Sequence, residues 1–365
     1  MGRIDPHRLE AANRRLGDAV IDPARWPQVM QDVCDAVGAT GAGMLQSDVR
    51  TPDVPITAGA KDMFAHYFRD GMHLRDVRAE RGVPLLLRGQ SVIIDQDFMT
   101  PEDMKAAPLY DRLRSDGFQW FAAIGFRAGA ALWGLTIQST IKEGPFGDDD
   151  KIALAPLSQT LTEAATLATA VGRVALSAAT GALETIGLPA IAIGHSGRVL
   201  ETNAAADAMF DGDICLRRWR LFFSDKRAAA ALDLALSRLA VTSDLAGLAC
   251  EPIVVRREPR RPVVLKLLPV PPAAKIPFLG ARAILTLTAL DRDRAPQIDL
   301  LRQAFGLTPA EARLAQVIAG GTSPEAAAAQ LGVSVETARN QLKSVFAKTG
   351  THRQAELVAL LLKLS

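Results

Sequence analysis

The chain is poor in the residues that staple or metallate small proteins. It has three cysteines, Cys34, Cys215 and Cys250. Their odd number and wide spacing exclude a disulfide framework, offer no pair at metal-ligand spacing, and suit a reducing compartment. The five histidines are scattered at 7, 66, 73, 195 and 352 and form no recognisable ligand set. Net charge is also lacking: 42 Lys and Arg against 40 Asp and Glu leave +2. No whole-chain field therefore attracts nucleic acid, and any such contact must come from local placement of cations. The start of the chain, Met1 to Glu10, is polar, and no apolar run approaches bilayer length. That argues against a signal peptide or membrane anchor and makes the cytoplasm the expected location. A G-x-S-x-G elbow, a P-loop and an H-E-x-x-H helix are all missing. The glycines of Gly38 to Gly43 stand in the wrong order for a dinucleotide loop. The chain is expected not to be an enzyme and to carry no cofactor.

What is present is an ordinary globular composition, 48% hydrophobic and 22% charged, over a length that calls for more than one core. A helical pattern runs from Leu9 to Val37. Phe121 to Phe126 and Leu132 to Ile137 flank a short Gly/Ala link and predict a hairpin. Gly144 to Asp150 then forms a turn and an acidic helix start. The helix that follows, with Pro156 in its first turn, places Leu157, Leu161, Ala164, Ala168, Val171 and Ala175 near one face. That seam serves either the domain's own core or pairing with a second chain. Further on, Leu188 to Ile193 and Arg198 to Thr202 predict a second hairpin around His195, Asn203 caps a helix, and strand-like runs lie at Pro252 to Arg256, Val263 to Leu268 and Ala283 to Leu290. Pro271, Pro272 and Pro277 belong to the loop between the last two of these runs. Asp291 to Pro296 reads as a polar linker.

From Leu307 the helix boundaries are written in local chemistry. Thr308-Pro309-Ala310-Glu311 is a capping box with proline at the first helical position, and the helix it opens stops at Gly320-Gly321. Ser323-Pro324 opens a short Ala-rich helix that ends at Leu331-Gly332, and Ser334 caps a third. Two helices separated by a tight Gly-containing turn form a helix-turn-helix pattern. In the third helix Ala338, Leu342, Val345 and Phe346 line one face and leave Glu336, Arg339, Asn340, Lys343 and Ala347 on the other. An α-helix fits the major groove, where Arg or Lys bonds guanine and Asn bonds adenine. Thr337, Gln341, Ser344 and Lys348 are placed to grip phosphates.

The stretch LTPAEARLAQVIAGGTSPEAAAAQLGVSVETARNQLKSVFAKTGTHRQAELV resembles a LuxR-type DNA-binding domain throughout its length. The resemblance implies that Arg339, Asn340 and Lys343 read bases in double-stranded DNA. It also implies a homodimer, in which a fourth helix, about Arg353 to Leu361, pairs two such domains through Leu357, Val358 and Leu361, with packing in the domain's own core as the competing use of that stripe. The segment departs from many relatives at Pro324-Glu325-Ala326, usually a polar, charged triplet, and at Gln341, often His. The stretch AIAIGHSGRVLETNAAADAMF resembles the opening of a PAS domain, and the earlier segment is similar to a GAF or PAS-like sensory fold. The fold class expected is therefore multidomain α+β: GAF/PAS-like antiparallel-sheet domains over 1–175 and 176–296, followed by an all-α helix-turn-helix domain over 297–365. Tyr67 and Asp76 are spaced like the tyrosine and aspartate of acyl-homoserine-lactone receptors, although Met63 stands where those have tryptophan. A core tyrosine and a helix-end or loop aspartate are the simpler use of that pair. With Trp120 and Trp133 they are the candidate ligand residues for a small molecule. The function expected is ligand-controlled transcription regulation, with RNA polymerase as a further partner. A constitutive regulator, or an adaptor whose first domains only dimerise, is the alternative.

Overall fold

The computed structural model describes residues 3–48, 52–194, 197–241, 251–270, 276–290 and 296–364. His195, Cys250, Pro271, Pro272 and most of the expected linker at 291–296 lie outside them. The fold is mixed α/β with antiparallel sheets and divides into two compact units, Met1–Pro259 with Val263–Thr288, and Arg260–Pro262 with Ala289–Ser365.

The larger unit is built on two main sheets. Strands β1 (Gly41–Gln46), β2 (Val92–Ile94), β3 (Phe118–Ala128) and β4 (Ala131–Thr140) form a sheet in the order β1-β4-β3-β2, with each neighbouring pair antiparallel. β3 and β4 are the expected hairpin, turning through Gly129 and Ala130. Because successive side chains on a strand point to opposite faces, β4 sends Trp133, Leu135 and Ile137 one way and Gly134, Thr136 and Gln138 the other. The first set packs under helices Pro6–Ile21, Trp26–Ala36 and Pro156–Thr185. The second faces helices Lys61–Arg69, Val77–Leu87 and Pro108–Ser115. The predicted helix over Leu9 to Val37 is two helices, because Asp22 turns away to cap the short turn Pro23–Arg25.

Strands β5 (Ala190–Gly194), β6 (Val199–Thr202), β7 (Ile214–Arg217), β8 (Arg220–Phe223), β9 (Ile253–Val255), β10 (Val263–Pro269) and β11 (Ala281–Ala289) follow. Five of them make a sheet in the order β6-β5-β11-β10-β9, and β7 and β8 form a separate ribbon. Asn203 caps helix Ala204–Asp207 as expected; its Oδ1 also accepts from the Ala190 N–H at 2.9 Å, which ties the cap to β5.

One helix serves both sheets. Pro156–Thr185 continues through the expected boundary at 175 and 176, burying Leu157, Leu161 and Ala168 against the first sheet and Leu176 against the second. The seam read from the sequence is thus core over its first half, while Val171 is exposed. The helical stretch Asp148–Thr185 is long and apolar enough, by length and composition, to cross a bilayer, contrary to the expectation that no run approaches that length. Its hydropathy comes from many Ala residues rather than a run of large side chains, and one face is packed inside the unit. Ile276 and Phe278 reach the first core, where the Phe278 ring meets Trp26, Phe126 and Trp133 edge-on at 5.3, 5.8 and 5.2 Å.

The smaller unit is helical: Ile298–Phe305, Pro309–Ala319, Pro324–Leu331, Val335–Thr349 and Gln354–Leu361 enclose one core around Leu314, Ile318, Leu342 and Val345. Ile298–Phe305 was not anticipated from the sequence.

Close packing on the cavity face of the first sheet gives a direct test. A Cβ on Gly43 would lie 2.5 Å from Phe64 Cζ, so the buried ring must shift to admit it. Gly43→Ala is expected to lower the stability of the larger unit by about 1–3 kcal/mol, read as a reduced denaturant midpoint at unchanged slope.

Candidate functional site

Two places in the chain collect chemistry. The first is the helix Val335–Thr349. Its start is fixed by Ser334, whose Oγ accepts from the Thr337 N–H at 3.0 Å, and it is separated from helix Pro324–Leu331 by Gly332, Val333 and Ser334. Gly332 holds φ +69°, a left-handed backbone that a side chain would strain, and so lets the chain reverse within three residues. Ala338, Leu342 and Val345 are buried, which leaves Glu336, Arg339, Asn340, Lys343 and Ala347 exposed together on the opposite face. Arg339 reaches back to Glu325 at 2.9 Å across the turn.

The four residues expected at phosphates are used differently. Ser344 Oγ and Lys348 Nζ both bond Glu311, each at 2.7 Å, and the Thr337 and Ser334 hydroxyls lie 2.8 Å apart at the cap. Gln341 is half-buried. Glu311 is the hub: it also accepts from the Thr308 N–H at 2.7 Å, which closes the predicted capping box. Burial opposes its charge, but hydrogen bonds from Lys348, Thr308 and Ser344 outweigh that and hold the carboxyl down at about 2. Leu357 and Leu361, expected at a dimer contact, are fully buried in the unit's own core, with Val358 packed partly against it.

The second place lies between the first sheet and helix Val77–Leu87. An inner, mostly apolar cavity of about 60 Å³ is lined by residues such as Met63, Phe64, Leu86, Ile93 and Phe121, with Ser47, Tyr67, Asp76, Arg78, Thr136 and Gln138 as its polar members. It shares Ser47, Asp76, Ala79 and Val83 with an outer cleft of about 550 Å³. Tyr67 and Asp76 do meet: the tyrosine hydroxyl donates to the carboxylate at 2.7 Å. Asp76 is at the same time the N-cap of helix Val77–Leu87, accepting from the Arg78 and Ala79 N–H groups. The pair is thus a core tyrosine on a helix-end aspartate that also borders the cavity. Strand alternation turns Trp133 and Trp120 to the other face; Trp133 contributes only to the cavity wall from its place on β4, and Trp120 is not part of it.

A buried network behind the cavity was not read from the sequence. Arg78 is 5% exposed and lies against the rings of Tyr110 and Phe121, 4.6 and 4.7 Å from their centroids. It donates to Asp95 at 3.1 Å, to Tyr110, to the Gln119 carbonyl at 2.8 Å and to Gln138 Oε1 at 3.1 Å. Tyr110 in turn donates to Asp95. Burial disfavours the Arg78 charge, but Asp95 and Tyr110 outweigh it and keep the guanidinium protonated. These residues stand far apart in sequence and spell no motif; the one signal available was Asp95, an acidic residue directly after the apolar run Val92–Ile94.

No protein-family model matches the chain, and no curated protein does. Among solved structures, a chain of the crystal structure of the E. coli DhaR(N)–DhaL complex is 10% identical, covering 77% of this chain and 87% of that one with a TM-score of 0.22. A likeness at that level carries no argument about fold or role.

The Glu311 hub makes the smaller unit acid-sensitive. Its folded value is about 2 against an ordinary 4.5, so the stabilisation is complete above pH 4.5 and lost as pH falls towards 2. Glu311→Gln is expected to cost about 1–3 kcal/mol at neutral pH and to flatten the loss of helical circular dichroism between those two limits.

Proposed function

We propose that this chain is a transcription regulator that binds double-stranded DNA through a LuxR-type helix-turn-helix in its smaller unit. The observation that carries the reading is the exposed face of helix Val335–Thr349. Arg339, Asn340 and Lys343 stand there together while the opposite face is buried in the unit's core. That is the arrangement a major-groove reader needs, because base edges are reached only by side chains that no packing holds back. Arg339, Asn340 and Lys343 read bases. Thr337 and Gln341 are left to position the backbone, and Ser344 and Lys348 act there only by giving up Glu311. The two sheet-bearing segments of the larger unit act as GAF-like and PAS-like sensory domains, and the protein works in the cytoplasm as a homodimer without catalytic activity. Binding of a small molecule in the larger unit changes affinity for DNA by the same factor that DNA changes affinity for the ligand.

The test is selection of duplexes from a random pool with the full chain, followed by fluorescence anisotropy at several salt concentrations. A preferred sequence and a steep loss of affinity with salt are expected. Arg339→Ala and Lys343→Ala should each lose about 1–3 kcal/mol of discrimination at one base position with unchanged helical content. Glu325→Gln should strengthen binding to any duplex, because it removes a negative charge from the DNA-facing side and releases Arg339 from an exposed pair worth little on its own. Absence of any preferred sequence, or salt-independent binding, would show that the helix is not a DNA reader and leave the adaptor role.

A further inference from the structure

The inner cavity ends at a polar floor that the protein's own groups leave incomplete. Gln138 lies on β4, on the same face as Gly134 and Thr136, and is 4% exposed. Its Oε1 accepts from Arg78 Nη1. A guanidinium has donors only, so this bond decides which end of the amide faces Arg78 and turns Nε2, with its two N–H groups, the other way. Among the described residues none accepts a hydrogen bond from Nε2. Beside it, Thr136 gives its proton to the Gly43 carbonyl at 2.8 Å and keeps a hydroxyl oxygen free to accept. An amide donor on a cavity lining without a protein partner is open to an acceptor on a ligand.

We propose that this cavity binds a compact, uncharged organic molecule, of about the size of a single small ring, whose one carbonyl or hydroxyl oxygen accepts from Gln138 Nε2. The size follows from the volume: a water needs about 10–15 Å³ on this measure, so room for about four to six non-hydrogen atoms is present. Absence of charge follows from the floor and walls. Arg78 is already neutralised by Asp95, and a charged ligand among Met63, Phe64, Leu86 and Phe121 would be buried without a counter-ion. A long acyl tail does not fit this volume. Ligand enters from the outer cleft, past Ser47 and Val83, which border both spaces. The proposal rests on the sensory reading of the larger unit given above, yet it is tested without DNA, so failure of either leaves the other standing.

The experiment titrates the full chain with cyclopentanone, a ring of this size with one carbonyl, and with cyclopentane, which matches its shape and lacks the oxygen, using saturation-transfer NMR. Cyclopentanone is expected to bind at least about ten-fold more tightly, because a site built to donate rejects an analogue that cannot accept. Gln138→Leu should bring the two probes within about two-fold of one another. Gln138→Met, which keeps the length of the side chain and removes both N–H donors, should do the same. Gly134→Ala, whose Cβ meets nothing nearer than 3.7 Å, takes up cavity space and should weaken both probes. Equal affinity for the two probes in the unaltered chain would overturn the proposal. Unchanged cyclopentanone binding in both Gln138 variants or in Gly134→Ala, or binding of neither probe at saturation, would do so as well.

Discussion

A positive charge cannot be left unmatched inside a protein, and the larger unit is organised around one. Arg78 is held from five directions by groups that come from separate parts of the chain. Its own helix carries it in, Asp95 meets it from the turn after β2, Tyr110 from helix Pro108–Ser115, the Gln119 carbonyl from β3 and Gln138 from β4. Removing one partner from a buried charged cluster typically costs about 3–5 kcal/mol, because the remaining charge has nowhere to go. Two of the helices on the cavity side, Val77–Leu87 and Pro108–Ser115, thus meet through this charge as well as through their apolar faces. The same demand orients Gln138, which also lines the cavity, and so fixes which end of its amide Arg78 takes.

The two units are stabilised in different ways. In the smaller one the three middle helices each carry a side-chain start, Thr308 with Glu311, Ser323 and Ser334, and left-handed Gly306, Gly332 and Gly350 end the helices before them. Glu311 then links the first of these caps to Ser344 and Lys348 on the helix that presents Arg339, so local capping and tertiary packing share a carboxylate. That sharing withdraws two polar groups from the surface and leaves a sparse exposed face.

This difference explains what could be read in advance. Caps, turns and the apolar face of helix Val335–Thr349 depend on residues three or four apart, and the sequence states them outright. The β3–β4 hairpin and the Asn203 cap were legible for the same reason. The Arg78 network was not, since its members are separated by turns of chain whose course only the packed sheet defines. Tyr67 and Asp76 were found by their spacing, and a core tyrosine with a helix-end or loop aspartate was already the simpler reading; what the sequence did not say is that one carboxylate takes both the tyrosine hydroxyl and the first amides of helix Val77–Leu87. Trp120 and Trp133 were assigned to the cavity without a register. Once β3 and β4 are paired, alternation sends both rings to the opposite side, so that Trp120 leaves the cavity and Trp133 only borders it.

Phe278 has a consequence for how the chain is made. Its ring closes a core founded on Trp26, some two hundred and fifty residues earlier, and Ile276 joins the same core. Synthesis runs from the N-terminus, so the first sheet emerges and pairs while its apolar centre still lacks these two side chains. Contacts of such long sequence separation are slow to form. The early sheet must wait, exposed at Trp26, Phe126 and Trp133, until the second sheet is nearly complete, whereas the capped helices of the smaller unit need only their immediate neighbours. A nascent chain that stalls before residue 276 would present that aromatic cleft to the cell's chaperones.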